Sequence, residues 1–97
     1  MPEQQNIEYK SSWHDDYLKW ICGFANAQGG RIYIGKDDDG NVINVEDYKQ
    51  LMDEIPNKIK NYLGITAEVN LLQEDNKHFI EIVVEPYTLL LCCYVMF

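Results

Sequence analysis

The sequence predicts an α+β fold: a small mixed, largely antiparallel sheet with two helices packed on it, in the order β-α-β-β-α-β-β. Three observations point to it. Two stretches carry apolar residues at helical spacing and stop at Gly29 and Gly64. Short segments around them alternate apolar and polar residues with a period of two, the mark of half-buried strands. The connections hold Asp39-Gly40 and the polar run EDNK, which suit tight antiparallel hairpins. At 97 residues, with 46% hydrophobic and 12% aromatic content, the chain supports a single core.

The first strand is IEYK, Ile7 to Lys10. Alternation puts Glu8 and Lys10 on one face and Ile7 and Tyr9 on the other, while the partner of this strand stays open. Ser12 reads as the cap of a helix from His14 to about Ala27, with Asp15 and Asp16 at its positive end. Tyr17, Leu18, Ile21, Phe24 and Ala25 form its apolar stripe. Gly29 is placed to stop that helix in a left-handed conformation.

Gly30 opens the strand RIYIGK, Asp39-Gly40 turns, and NVINV returns as its hairpin partner. A second helix spans roughly Asp47 to Leu63, with Tyr48, Leu51, Met52, Ile55, Ile59, Tyr62 and Leu63 inward. Pro56 inside this pattern predicts a kink or break near Ile55. Two strands close the order: ITAEVNLLQ, then HFIEIVVEP after the EDNK turn. Residues 1–86 make the domain, and residues 87–97 form an apolar tail.

Formal net charge is −8, from 16 acidic and 8 basic residues. That balance argues against a broad basic surface neutralising many phosphates and leaves two routes, a local patch or carboxylates that have bound cations. Lys10, Lys19, Arg31 and Lys36 are the basic residues before the second helix, and they are the candidate nucleic-acid contacts. Cys22 and the adjacent Cys92 and Cys93 form neither a disulfide framework nor a metal knuckle, and three free thiols fit a reducing cytoplasm. The polar start MPEQQNIE is no signal peptide. The apolar run Leu89 to Phe97 is far shorter than the ~20 residues of a membrane span, so no membrane partner is expected.

Gly29-Gly30 follows a helix and precedes a strand, without the Gly-Lys-Ser/Thr of a phosphate loop and without the strand-then-helix order of a dinucleotide fingerprint. The pair reads as a helix stop and a strand start. Asp37, Asp38 and Asp39 read first as turn residues, and they lack the ligand spacing of a calcium loop. A metal site there needs partners from elsewhere. Glu3 and Glu8 are such partners, and Lys10 shares a strand face with Glu8. A carboxylate can hold a divalent metal while a lysine orients water or offsets phosphate charge. The alternative for Glu8-x-Lys10 is an exposed ion pair of little energetic value. His14 and His78, far apart and without ligand spacing, read as surface residues. Trp13, Trp20 and the tyrosines are of a type that stacks on bases, but in so small a domain most aromatics read as core, and Tyr17 and Tyr33 as inward-facing.

The segments IEYKSS and ICGFANAQGGRIYIGKDDDGNVINV together resemble the Schlafen-type AlbA domain, also described as a divergent Alba-like DNA-binding domain. The resemblance runs from about Glu3 to Pro86. It rests on Glu-aromatic-Lys, then Phe-Ala-Asn-x-x-Gly-Gly, then a strand followed by Gly-x-Asp-Asp-x-Gly. It implies a compact Schlafen AlbA-like α/β fold of the kind found in bacterial proteins labelled transcriptional regulators or helicase-related. The function it implies is DNA or RNA binding of transcriptional-regulator type, in the cytoplasm, with no cofactor required. In animal Schlafens a pair of such domains forms a metal-dependent endoribonuclease. By resemblance Glu3, Glu8 and Asp38 match its carboxylate trio, with Lys10 as electrostatic helper and Mg2+ or Mn2+ as the metal of that alternative. A lone chain would then form a homodimer to build a channel. A third alternative is a protein-interaction or dimerisation module. The tail TLLLCCYVMF departs from the family pattern, either as a truncated or frame-shifted end or as a buried strand completing the sheet.

Overall fold

Leu18, Ile21 and Ala25 recur at spacings of three and four, so a helix gathers them on one stripe. In the computed structural model, which describes residues 6–86, that helix is α1, Leu18–Ala25, and the three side chains are fully buried. Its start lies later than the spacing predicts, and Ser12 is not its cap. His14 is extended, at φ −136° and ψ 141°, and leads into a 3-10 turn, Asp15–Tyr17. The Trp13 indole donates to Asp15 Oδ1 at 2.8 Å, and Lys58 Nζ donates to the same oxygen at 2.8 Å. These side-chain bonds hold the segment in a tighter path than a helical first turn.

Gly29 ends the helical region with φ 84°, as its position predicts, and its N–H donates to the Phe24 carbonyl at 2.7 Å. The Gly-Gly pair is a demand of close packing. A Cβ on Gly29 would stand 2.5 Å from the Val84 carbonyl oxygen, and one on Gly30 2.7 Å from the Phe24 ring. The chain passes there from helix to β2, Gly30–Ile34, which buries Ile32 and Ile34 completely.

The return strand expected over NVINV does not form; an isolated bridge between Lys36 and Val42 replaces it. The Asp37 carboxylate accepts the N–H groups of Asp39 at 3.0 Å and Asn41 at 2.9 Å, closing a turn. Asn44 then adopts φ 76°, and its Oδ1 accepts the His78 N–H at 2.8 Å. Val45 N–H donates to the His78 carbonyl at 2.8 Å. The segment is thus pinned to another part of the sheet and cannot run along β2.

Helix α2, Tyr48–Leu63, runs through Pro56 unbroken, so of the expected kink or break the break does not occur. Leu51, Ile55, Ile59 and Leu63 recur every fourth residue and are buried. Tertiary packing on both sides of the proline offsets its missing N–H. Gly64 stops the helix at φ 72°. Strands β3, Glu68–Glu74, and β4, Lys77–Val84, then pair antiparallel across Asp75 and Asn76, whose positive φ values of 53° and 66° suit a two-residue hairpin turn.

The observed order is therefore β1-α1-β2-α2-β3-β4, with β1 at Ile7–Lys10 and one strand fewer than the sequence pattern predicts. The sheet order is β1-β2-β4-β3. β1 runs parallel to β2, and the other two pairs are antiparallel. Paired residues share a face, so Glu8 and Lys10 lie with Ile32 and Ile34 on the helix-covered side. Ile7 and Tyr9 lie with Arg31 and Tyr33 on the other. Ile80, Ile82 and Val84 of β4 complete the core under the helices.

Among the described residues no helix is long and apolar enough to cross a membrane. Cys22 is disulfide-bonded, which corrects the expectation of three free thiols. The apolar tail lies outside the described residues.

Candidate nucleic-acid interface

Because β1 and β2 are parallel, their C-terminal ends meet. The Lys10 carbonyl accepts the N–H groups of Gly35 at 2.7 Å and Lys36 at 3.1 Å. This clamp places the segment after β1 beside the turn after β2. Between them lies an open depression of about 370 Å³, lined by Tyr9, Lys10, Ser11, Ser12, His14, Tyr17, Lys36, Asp37 and Asp38.

Two ammonium groups border it from opposite sides of the sheet. Lys10 Nζ stands 4.4 Å from the Trp20 ring centroid and 5.5 Å from that of Tyr17. Lys36 Nζ stands 4.6 Å from the Tyr33 centroid, 4.8 Å from Phe79 and 5.6 Å from Tyr9. Neither has a carboxylate within 4.0 Å among the described residues, where the ion pair is Lys58 with Asp15. The Glu8–Lys10 ion pair weighed from the sequence does not form. Aromatic faces hold both cations instead, by a weak attraction, and leave their charge open to an anion.

The acidic residues differ in state. The Asn41 N–H is the main group holding the Asp37 carboxyl below its usual range, followed by the Asp39 N–H and the Asn41 side chain. Asp37 is thereby engaged in closing its own turn. Asp38 is exposed at the rim.

Of the residues singled out from sequence, the fold gathers Lys10, Lys36 and Asp38. Glu8 is half-buried two positions back on β1 and does not line the depression. Arg31 is exposed near the start of β2, beside Ile7 and Val83, and Lys19 is exposed on α1; neither lines it. Glu3 lies outside the described residues. Among the described residues no group of three His, Cys, Asp or Glu side chains is arranged to hold a metal. The metal alternative draws on Glu3 as well, so it falls partly outside the described residues.

Sequence reasoning gave Ser12 to a helix cap and His14 to the surface and did not single out Ser11, because a parallel strand pair, which brings the end of β1 beside the turn after β2, has no local signature. It also read Tyr33 as inward. The register puts Tyr33 opposite Tyr9 and Glu81, on the face away from the helices. Alternation with Ile32 and Ile34 was the signal that carried this.

Comparison with known proteins follows the same outline. The family model described as Schlafen, AlbA_2 matches residues 3–91. Among solved structures, the DIP2311 protein from Corynebacterium diphtheriae superposes with a TM-score of 0.68 at 16% identity, over 86% of this chain and 18% of that one. The N-terminal domain of a protein from Nitrosomonas europaea, described as related to the ATP-dependent DNA helicase RecG, gives 0.69 at 21% identity. That match covers 89% of this chain and 66% of the other. At these identities the likeness shows the fold: two helices on one open, mostly antiparallel four-stranded sheet. No curated protein matches the chain.

Proposed function

The chain belongs to the Schlafen AlbA_2 family, and from that premise we propose that it is a nucleic-acid-binding domain of transcriptional-regulator type. The observation that carries the reading is the depression at the ends of β1 and β2. It joins two lysines without an ion-pair partner, Lys10 and Lys36, to the hydroxyls of Ser11 and Ser12 and the ring of His14, with Asp37 and Asp38 at the same depression. Ammonium, hydroxyl and imidazole groups are the side chains that bind phosphate oxygens. The helicase-related description of the Nitrosomonas europaea neighbour points the same way.

The charge sets the scale of the interaction. A chain of net charge −8 with two lysines at the site neutralises about two phosphates. Binding to duplex then falls with salt at a log–log slope of about −2, from −0.9 per phosphate. This is a weak, local contact. A homodimer would double it, and light scattering tests that state.

The experiment is an anisotropy titration of the folded chain with labelled single-stranded and duplex oligonucleotides at low salt. Saturable, salt-sensitive binding is expected. No binding to either form by a chain shown to be folded removes the reading.

A further inference from the structure

We propose that the helix-free face of the sheet is a stacking platform for the bases of a single-stranded nucleic acid, with Tyr9 and Tyr33 as the rings. The inference rests on the nucleic-acid-binding reading above and names its substrate class. The register places Tyr9 and Tyr33 directly across β1 and β2 on the face opposite the core. Their centroids are 5.8 Å apart with the planes tilted by 38°, and both rings are half-buried. Phe79 of β4 lies 6.3 Å from Tyr33 and is nearly fully buried, so it serves as the floor.

The Tyr33 ring is held by its edge. Its hydroxyl donates to Glu81 Oε2 at 2.9 Å, and Glu81 Oε1 accepts from Asn70 Nδ2 at 3.1 Å. This row fixes the ring's position and leaves its face to another group. Lys36 now occupies that side, with its ammonium among the three rings. A base displaces it, and the freed ammonium meets the phosphate of the same nucleotide. Cation–π contacts at exposed sites are weak enough to be exchanged in this way.

Charge divides the face and selects where the strand runs. Arg31 and Lys36 stand on the β1–β2 half, whereas Glu68, Glu74 and Glu81, with Lys77 opposite Glu74, stand on the β3–β4 half. The balance of charge therefore favours a polyanion along β1 and β2. Tyr9 and Lys36 belong to this face and also line the depression, so bases on the rings lead directly to phosphates at Lys10. A duplex keeps its base faces stacked inside and offers them to no ring, whereas unstacked bases accept aromatic partners on a four-stranded sheet.

The test uses the full chain and three labelled probes of about 12 nucleotides, within the site size of such modules. They are oligo-dT, the dT·dA duplex and an abasic strand of equal charge. Oligo-dT is expected to bind roughly a hundredfold tighter than the abasic strand, about tenfold for each ring, and tighter than the duplex. Tyr33→Leu and Tyr9→Leu should each lose roughly tenfold on oligo-dT, Tyr33→Leu should lose nothing on the abasic strand, and Tyr33→Phe should stay close to wild type. The abasic comparison needs no variant, so a misfolded mutant does not protect the idea. Equal binding of all three probes overturns the platform and leaves the phosphate-binding reading standing. Binding of none overturns both.

Discussion

The Lys36 ammonium stands 4.6 Å above the centroid of the Tyr33 ring, on the face of the sheet that neither helix covers. Lys36 follows β2 and bridges to Val42, so the turn after the strand carries this cation back over the strand itself. Such a contact at a half-exposed site is worth about 0.5–1 kcal/mol. A charge held so lightly is available to a ligand.

Replacing Lys36 or Lys10 with alanine should weaken binding to all sequences alike and reduce the salt slope by about 1 each. Lys36→Arg should retain the slope, because guanidinium also binds phosphate and stacks on rings. Anisotropy titrations across a salt series measure both quantities. An unchanged slope in the double alanine variant places the phosphate contacts elsewhere.

The Gly-Gly pair should be costly to alter. Gly29 combines φ 84° with a backbone oxygen 2.5 Å from the missing Cβ, so Gly29→Ala should destabilise by more than about 1 kcal/mol. Ile82→Ala removes a fully buried side chain from β4 and should cost about 2–5 kcal/mol. Urea unfolding reads both. A Gly29→Ala midpoint equal to wild type would show that the helix end has room to move away from Val84.

The helices and most of the core were legible in the sequence because each is local. Leu51, Ile55, Ile59 and Leu63 announce their stripe every fourth residue, and Gly64 announces the stop. NVINV failed for the opposite reason: its residues suit a strand, yet Asp37 closes a turn and Asn44 bonds to His78, 34 positions away. Pro56 does not break its helix, since packing on either side of it outweighs its local penalty. Of the site, Lys10, Lys36 and Asp38 could be named from sequence. Their meeting depended on β1 pairing parallel to β2, and so did the pairing of Tyr9 with Tyr33.

Binding carried by lysines requires no divalent ion, so EDTA should leave the oligonucleotide affinity unchanged. The nuclease alternative from family resemblance makes the contrary prediction: cleavage of tRNA-like RNA in Mn2+, abolished in Glu8→Ala. Gel analysis of RNA incubated with Mn2+ and with EDTA distinguishes the two. Metal-dependent cleavage that Glu8→Ala removes would move the domain from binding to catalysis.

Acid should loosen the junction between the 3-10 turn and α2 by a small, assignable amount. Lys58, then Trp13, hydrogen-bonds the Asp15 carboxylate and holds its pKa below the ordinary 3.8. A carboxyl whose folded pKa is depressed contributes stability that is fully present above its unfolded value of about 3.9. That contribution is lost as pH falls through the lower folded value. Lys58 is shifted the opposite way, above 10.5, chiefly by the hydrogen bond to Asp15. Its contribution is present below the unfolded lysine value and lost as pH rises through the raised one. With side-chain exposures of 56% for Asp15 and 29% for Lys58, solvent screens the pair to about 1 kcal/mol or less. Thermal melts of wild type and Asp15→Asn at pH 7 and pH 3 measure it. The variant should start lower at pH 7 and lose less on acidification, and the difference should shrink in high salt. Parallel losses in the two proteins would assign the acid sensitivity to other carboxylates, with Asp37 first among them because the Asn41 N–H depresses its pKa in the same direction.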